Sequence, residues 1–347
     1  MRAGVLYGPK DLRVEEVAEP PAPGVGEVTI AVHRCGLCGT DLHEFSYGGP
    51  MTPLAAAHPW SGHAGPTVIG HEFMGTVSRA GARTSLSEGD RVVAGAGRWC
   101  GGCAPCRTGR TNLCEHYFTY GLSTHGGMAS FVTVPEVMCV PVPDNCTDGN
   151  AVLAQPVAIA MHALDRAAPP AGSAVLVVGA GAVGALLVAA AADAGLAVHV
   201  VDLDAGRLDA ARRLGATATG LIEPAVGTSP FRGISTVFET SGSAAGLGLA
   251  LTAAAPGGRI VAVGLPARPV EFDSRTAVVS EVDVITSSAH VCQRDLPAAV
   301  GLLSRRRLDE VIVAQVIGLD RIVSDGLARM ASGAVRGKTV VDVLAPC

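Results

Sequence analysis

The chain has 347 residues, enough for two buried cores of roughly 150 residues each. Apolar residues make up 48% of it and charged residues 16%, a balance that excludes an intrinsically disordered chain. With 26 basic against 31 acidic residues the net charge is -5, and no basic stripe stands out, so electrostatics give no basis for nucleic-acid binding.

The first residues, MRAGVLYGPKDLRVEE, turn polar early and lack an apolar run ending in a small-residue cleavage site. They do not read as a secretory signal, and a cytoplasmic location is expected. Thiols stay reduced there, so the ten cysteines point to metal ligation or core packing rather than to disulfides. From Val5 to about Val142, short β-branched runs broken by Gly, Pro and charged turns predict an antiparallel, strand-rich domain; VGEVTIAVHRCG, EGDRVVAG and ASFVTVPE are examples.

Two groups of metal-ligating side chains fall within that stretch. Cys38, in CGLCGTDLHEF, and the pair His71-Glu72, in VIGHEFMGTV, supply a thiolate, an imidazole and a carboxylate, a mixed set compatible with an open zinc site. Taken singly, Cys38 reads equally well as a small buried hydrophobe and His71 as a core histidine. Cys100, Cys103, Cys106 and Cys114 are spaced C-x₂-C-x₂-C-x₇-C in one short loop. Four thiolates there close a tetrahedral zinc shell with no position left for chemistry, and an iron–sulfur cluster is the alternative occupant. His58 and His63, flanking Trp60, read as surface-loop residues, whereas Cys35, Cys139, Cys146 and Cys347 fit neither pattern and read as packing residues or a free terminus.

From about Ala151, apolar strands alternate with Ala/Leu-rich helical stretches, the pattern of a parallel α/β sheet. The uncharged run Ala174 to Ala192 is long enough to cross a bilayer, but regularly placed glycines and an abrupt Asp193 argue for strand, turn and helix instead. Gly179, Gly181 and Gly184 form G-x-G-x-x-G directly after the strand SAVLVV, where a helix N-terminus would receive a pyrophosphate. Asp202 ends the next strand, about 20 residues on, where a carboxylate accepts hydrogen bonds from the adenosine ribose and repels a 2′-phosphate. NAD is therefore expected over NADP. Arg207 is the competing feature, able to reach such a phosphate or simply to lie in solvent. A Gly-rich βαβ unit that binds nothing is the bland alternative. Beyond Val291 the alternation weakens into a helix, RDLPAAVGLLSRRR, a second around Asp320 to Ser332 and a closing strand, GKTVVDVLA, which periodicity alone does not assign to either domain.

In order along the chain, CGLCGTDLHEF, GHEFMGTV, EGDRVV, the four-cysteine loop, VVGAGAVG and VVDLD resemble the zinc-containing medium-chain alcohol dehydrogenase superfamily over essentially the whole length. The loop YGGPMTPLAAAHPWSGHAGPTVIGHEF is most similar to the butanediol and polyol (sorbitol) dehydrogenases. The resemblance implies an α/β plus β fold: a GroES-like catalytic domain from residues 1–153 and 292–347, a Rossmann doubly wound NAD-binding domain from 154–291, and an active site in the cleft. It implies NAD and two zinc ions per chain, one catalytic and one structural. It also implies hydride transfer between a secondary alcohol, diol or polyol and the matching ketone. A threonine-type amino-alcohol or a specialised biosynthetic alcohol is the alternative substrate, and a zinc- and nucleotide-binding protein without turnover, or a zinc-free reductase, is a further reading.

Carried over by residue, the resemblance makes Cys38 and His71 catalytic zinc ligands and Glu72 a ligand able to leave when water or substrate binds. Thr40 matches the hydroxyl of a proton relay, Asp41 the carboxylate that orients the ligating histidine, and His43 the outer end of the relay, where an imidazole exchanges protons near physiological pH. Val183, Arg207, Thr240 and Val263 join the glycine turn and Asp202 as cofactor contacts. Three positions depart from the pattern. Gln155 stands where the polyol branch has Glu, and either ligates zinc as a neutral donor or hydrogen-bonds a water on it. Ala182 replaces a proline in the glycine loop, and Cys292 replaces an aromatic residue near the substrate, which would widen the pocket. Family members pair through edge strands, so a homodimer or homotetramer is expected, with VDVITSSA as the pairing strand and no membrane or nucleic-acid partner.

Overall fold

Near-continuous burial along Glu27–Leu37, from Val28, Thr29 and Ile30 to Cys35, Gly36 and Leu37, suits these residues to the central strand of a seven-stranded sheet. Glu72–Ala80 pairs with it antiparallel along one side, and Phe131–Pro135 and Lys338–Asp342 pair antiparallel with successive parts of the other. Arg91–Ala94 and Cys139–Pro141 extend one edge and Val313–Gly318 the other. Phe73, Val77, Val92, Val134 and Val341 close the core against the central strand. The end of the chain thus rejoins the strand-rich unit because the Val340-Val341 pair needs burial and finds it beside Cys35 and Gly36. A three-stranded sheet, Asp11–Glu16, Arg2–Gly8 and Thr67–Val68, lies in the same unit.

The computed structural model describes residues 1–223, 229–266 and 268–345. The chain divides into two units, the first comprising Met1–Gln155, Val291–Asp309 and Val313–Cys347, the second Pro156–His290 with Glu310–Ile312. In the second unit every strand is parallel, in the order Ala218–Leu221, Ala197–Asp202, Ala174–Val178, Ile234–Glu239, Ala254–Ala262, Asp283–Thr286. The winding reverses between Ala174–Val178 and Ile234–Glu239, which is the switch point of a doubly wound sheet. The apolar run beginning at Ala174 is divided into a strand and the helix Ala182–Asp193, both buried. Among the described residues no helix is long and apolar enough to cross a membrane.

Two local devices hold the first unit in register near the metal-ligating residues. Gly70, immediately before His71, has φ +97°, and a Cβ there would lie 2.6 Å from Met128 Cγ and 2.7 Å from Cys35 Sγ. Only glycine suits both the left-handed backbone and the space. Asp148 takes Arg91 Nη2 at 2.6 Å and His33 Nδ1 at 2.7 Å, while His33 Nε2 meets Thr76 Oγ1 at 3.1 Å. His33, and after it Arg91, pulls the Asp148 carboxyl down from 3.8 to about 2.

Gly70→Ala should destabilise the fold by about 2–5 kcal/mol in denaturant titration, since it adds both strain and overlap. Because the folded carboxyl of Asp148 titrates below the unfolded one, its stabilisation is complete above pH 3.8 and is lost as the pH falls through about 2. Asp148→Asn should therefore lower stability at neutral pH, and the gap from the parent should close on acidification through that window.

Candidate active site and nucleotide-binding turn

Cys38 is the N-cap of the helix Gly39–Tyr47, and His71 and Glu72 open the strand that flanks the central one. One ligand atom from each of Cys38, His71 and Glu72 lies within 4.8 Å of the others. Asp41 ties the group together: its Oδ2 accepts the Cys38 backbone N–H at 2.8 Å and its Oδ1 lies 3.4 Å from His71 Nδ1. With Asp41 on the Nδ1 side, Nε2 is the nitrogen left for a ligand. Burial disfavours a charged imidazole, but the neighbouring Asp41 and Cys38 outweigh it and raise the His71 pKa well above the usual histidine value.

The Thr40 hydroxyl is 3.8 Å from Cys38 Sγ, and His43 follows three residues later on the same helix, exposed and with its ring 5.4 Å from that of Tyr47. Thr40 and His43 thus lead from the cluster to the surface along one helix face. The Gln155 amide oxygen is buried and has no hydrogen-bond partner, as suits an atom awaiting a metal or a metal-held water. Sulfur, nitrogen and carboxylate oxygen converging within 4.8 Å suit zinc.

Lys338, which sequence reasoning missed, completes the cluster. It is 4% exposed, and its Nζ stands 2.6 Å from both carboxylate oxygens of Glu72, itself 1% exposed. Burial alone would lower the lysine pKa, but Glu72, followed by Cys38 and Asp41, raises it. The only signal in the sequence was a lysine opening the last strand, and nothing local links it to a residue so distant in the chain.

Cys100, Cys103, Cys106 and Cys114 also bring their sulfurs within 4.8 Å of one another. Cys103 and Cys114 Sγ are 3.8 Å apart, the edge of a tetrahedron whose metal–sulfur bonds are about 2.3 Å. Backbone N–H groups of Cys100 and His116 point at Cys114 Sγ at 3.2 Å, and that of Gly102 at Cys100 Sγ at 3.4 Å. The N–H groups of Gly102 and Cys103 draw the Cys100 thiol down to about 6. Burial pushes the Cys106 and Cys114 thiols up, so all four sulfurs ionise together only beside a cation, and zinc fits the loop.

In the second unit, Gly179 has φ +96°, and a Cβ on Gly184 would overlap the Gly179 carbonyl. A Cβ on Gly181 would meet nothing within 4 Å, so that position is not shaped by the protein's own packing and leaves the approach to the helix N-terminus open. Asp202 Oδ2 accepts the Ala180 N–H at 2.6 Å and Oδ1 accepts that of Asp204 at 2.8 Å, while Arg207 Nη1 is 3.8 Å from Oδ1. Val183 is half-buried on the first turn of the helix. Thr240 Oγ1 donates to the Gly179 carbonyl at 2.6 Å, and the Val263 N–H to the Glu239 carbonyl at 2.8 Å. Glu239, another residue not singled out from sequence, is buried and accepts the Ser241 and Gly242 N–H groups at 2.8 and 3.1 Å, holding the segment that faces the glycine turn. The turn fits a dinucleotide pyrophosphate.

The loop histidines are less free than the sequence suggested. His58 packs edge-on against Phe118, Trp60 stacks on His116 at 3.8 Å, and the His63 and His125 rings meet at 4.5 Å. Cys292 is buried with its Sγ 3.6 Å from the Met138 carbonyl. Cys35 and Cys146 are buried and Cys139 half-buried, all as free thiols, and Cys347 lies outside the described residues.

Two family models match the chain. Residues 24–144 match the alcohol dehydrogenase GroES-like domain and residues 182–305 the zinc-binding dehydrogenase domain. A probable D-xylulose reductase A of Aspergillus fumigatus is 31% identical over 88% of this chain and 86% of its own. An (R,R)-butanediol dehydrogenase of Neisseria gonorrhoeae is 29% identical over 95% and 96%. The crystal structure of 2R,3R-butanediol dehydrogenase from Bacillus subtilis superposes with a TM-score of 0.88 at 27% identity, covering 98% of this chain and 99% of that one.

Cys106→Ser should remove about one zinc per chain by elemental analysis and lower the unfolding temperature, because a closed thiolate site contributes directly to folding. An iron–sulfur occupant would instead show visible absorbance in the purified parent.

Proposed function

This chain belongs to the zinc-containing medium-chain alcohol dehydrogenase superfamily, and from that premise we propose that it oxidises a secondary alcohol, diol or polyol to the ketone with NAD. It is a zinc-type alcohol dehydrogenase; the cofactor preference, the substrate class and the role of each residue are our reading. The observation that carries it is the convergence of Cys38, His71 and Glu72 within 4.8 Å, braced by Asp41 and adjoined by Thr40. A pure binding protein has no use for a hydroxyl and an exposed imidazole leading out of its metal site.

Cys38, His71 and Glu72, with Gln155, would hold a catalytic zinc, and Cys100, Cys103, Cys106 and Cys114 a structural one. Bound zinc would supply Lewis acidity that makes an alcohol hydroxyl acidic near neutral pH. Thr40 would take the alcohol proton as it gives up its own, and His43 would pass a proton to solvent; a bound nicotinamide would supply the hydride acceptor. Asp41 keeps the His71 ring in the orientation that presents Nε2. Gln155, as a ligand or as a partner of a zinc-held water, would add no charge, and bound zinc would then keep more of its electrophilicity than beside a second carboxylate.

Gly179, Gly181 and Gly184 would take the pyrophosphate, with Val183, Thr240 and Val263 alongside. The Asp202 carboxylate ends the second strand of the fold's nucleotide-binding unit, and Arg207 already lies 3.8 Å from it, so a 2′-phosphate there would meet a carboxylate. This supports NAD over NADP. The reported names of the relatives, xylulose and butanediol enzymes, support a vicinal diol or polyol. Asp283–Thr286 ends the parallel sheet with its outer edge unpaired among the described residues and Val284 exposed, which supports pairing of copies as a homodimer or homotetramer. Nine free cysteines among the described residues suit the reducing cytoplasm.

Reduced-nicotinamide absorbance, followed over vicinal diols, polyols, threonine and simple secondary alcohols with NAD and NADP in parallel, tests this reading. We expect turnover of a diol or polyol, abolished by zinc chelation, with kcat/KM favouring NAD by about tenfold or more, a difference of about 1.4 kcal/mol. Turnover of threonine alone would move the substrate to the amino-alcohols, and none with zinc-replete protein would count against catalysis.

A further inference from the structure

Glu72 faces two partners. Its carboxylate belongs to the Cys38–His71 cluster, yet both of its oxygens are 2.6 Å from Lys338 Nζ. The sheet makes this possible. Glu72 and Val340 sit on opposite sides of Gly36, which is paired with each of them on neighbouring strands, and Lys338 begins the farther strand. A Cβ on Gly36 would overlap the Glu72 carboxylate, so the missing side chain opens a passage across the central strand through which the carboxylate meets the ammonium. Glu72 and Lys338 are both buried, and neither can exchange the other for bulk water.

Resting on the reading of Cys38, His71 and Glu72 as a zinc site, we infer that Lys338 is a positioning residue that competes with the metal for Glu72 and keeps that carboxylate a displaceable ligand. A buried anion beside a divalent cation, with no other positive partner, stays on the metal and closes the position that water or an alcohol must enter. Lys338 supplies the alternative partner inside the protein. Its charge offsets the electrostatic cost of Glu72 leaving the metal, and Gly36 provides the space for the carboxylate between the two. The donor strength of Glu72 is thereby set from a strand on the far side of the central one.

The test uses the zinc-loaded enzyme and its cobalt-substituted form. In Lys338→Met, zinc release to a chelator, in the phase absent from Cys38→Ser, should slow by about tenfold, within the range by which residues behind the ligands tune metal sites. The cobalt d–d bands should shift as the carboxylate stays on the metal, and Lys338→Arg should restore most of the parent behaviour. In a Glu72→Gln background, Lys338→Met should change neither readout. Release as fast as or faster than the parent, or an equal shift in the Glu72→Gln background, would overturn the inference. If the single Met variant does not fold, Glu72→Gln/Lys338→Met, which removes both charges of the buried pair, must match Glu72→Gln alone. Unchanged zinc content in Cys38→Ser would instead refute the metal-site reading itself.

Discussion

Charge balance in one buried pocket is the constraint on which the rest of the first unit depends. Cys38, Asp41 and Glu72 bring a thiol and two carboxylates together with His71, and Lys338 supplies one ammonium against them. With the thiol ionised and the imidazole neutral, three negative charges would face one positive, and a divalent cation would offset the remainder. The surrounding architecture serves this arrangement. Asp41 spends one oxygen on the Cys38 N–H and directs the other at His71, and the left-handed Gly70 turns the chain so that His71 and Glu72 enter the strand beside Gly36.

The second unit solves a different electrostatic problem with backbone rather than side chains. The helix Ala182–Asp193 offers N–H groups and the positive end of its dipole, and the glycine turn removes the Cβ atoms that would keep an anion away. Around the turn, carboxylates are tied down by N–H groups: Asp202 by Ala180 and Asp204, Glu239 by Ser241 and Gly242. These bonds satisfy buried anions and hold the two strand ends at the switch point, where ligands of open parallel sheets bind.

The four-cysteine loop brings order of a third kind. Its N–H groups already point at sulfur, so a metal bound there would lock a prepared geometry. Its neighbours His116 and Phe118 take Trp60 and His58 in ring contacts, and the loop that leads from the Thr40 helix to His71 is pinned at its middle. A loop that looks polar and free in sequence is thereby tied to the thiolate lobe.

Features set by short stretches of chain were legible in the sequence alone. C-x₂-C-x₂-C-x₇-C and G-x-G-x-x-G are local because a tight thiolate shell and a pyrophosphate turn are each formed by consecutive residues. The strand-rich half and the alternating half could be told apart because burial imposes a period of 2 on one and a strand–helix rhythm on the other. Cys38, His71 and Glu72 were found as an ordered set of motifs, not as a distance. Tertiary structure alone decided what faces them. Lys338 meets Glu72 only because the end of the chain pairs with the central strand, and Gly36 matters only because no side chain there blocks the way. Glu239 becomes a brace only once its strand stands beside the glycine turn. Such contacts are fixed by strand order and register, which result from burying whole faces and leave no trace in the residues nearby.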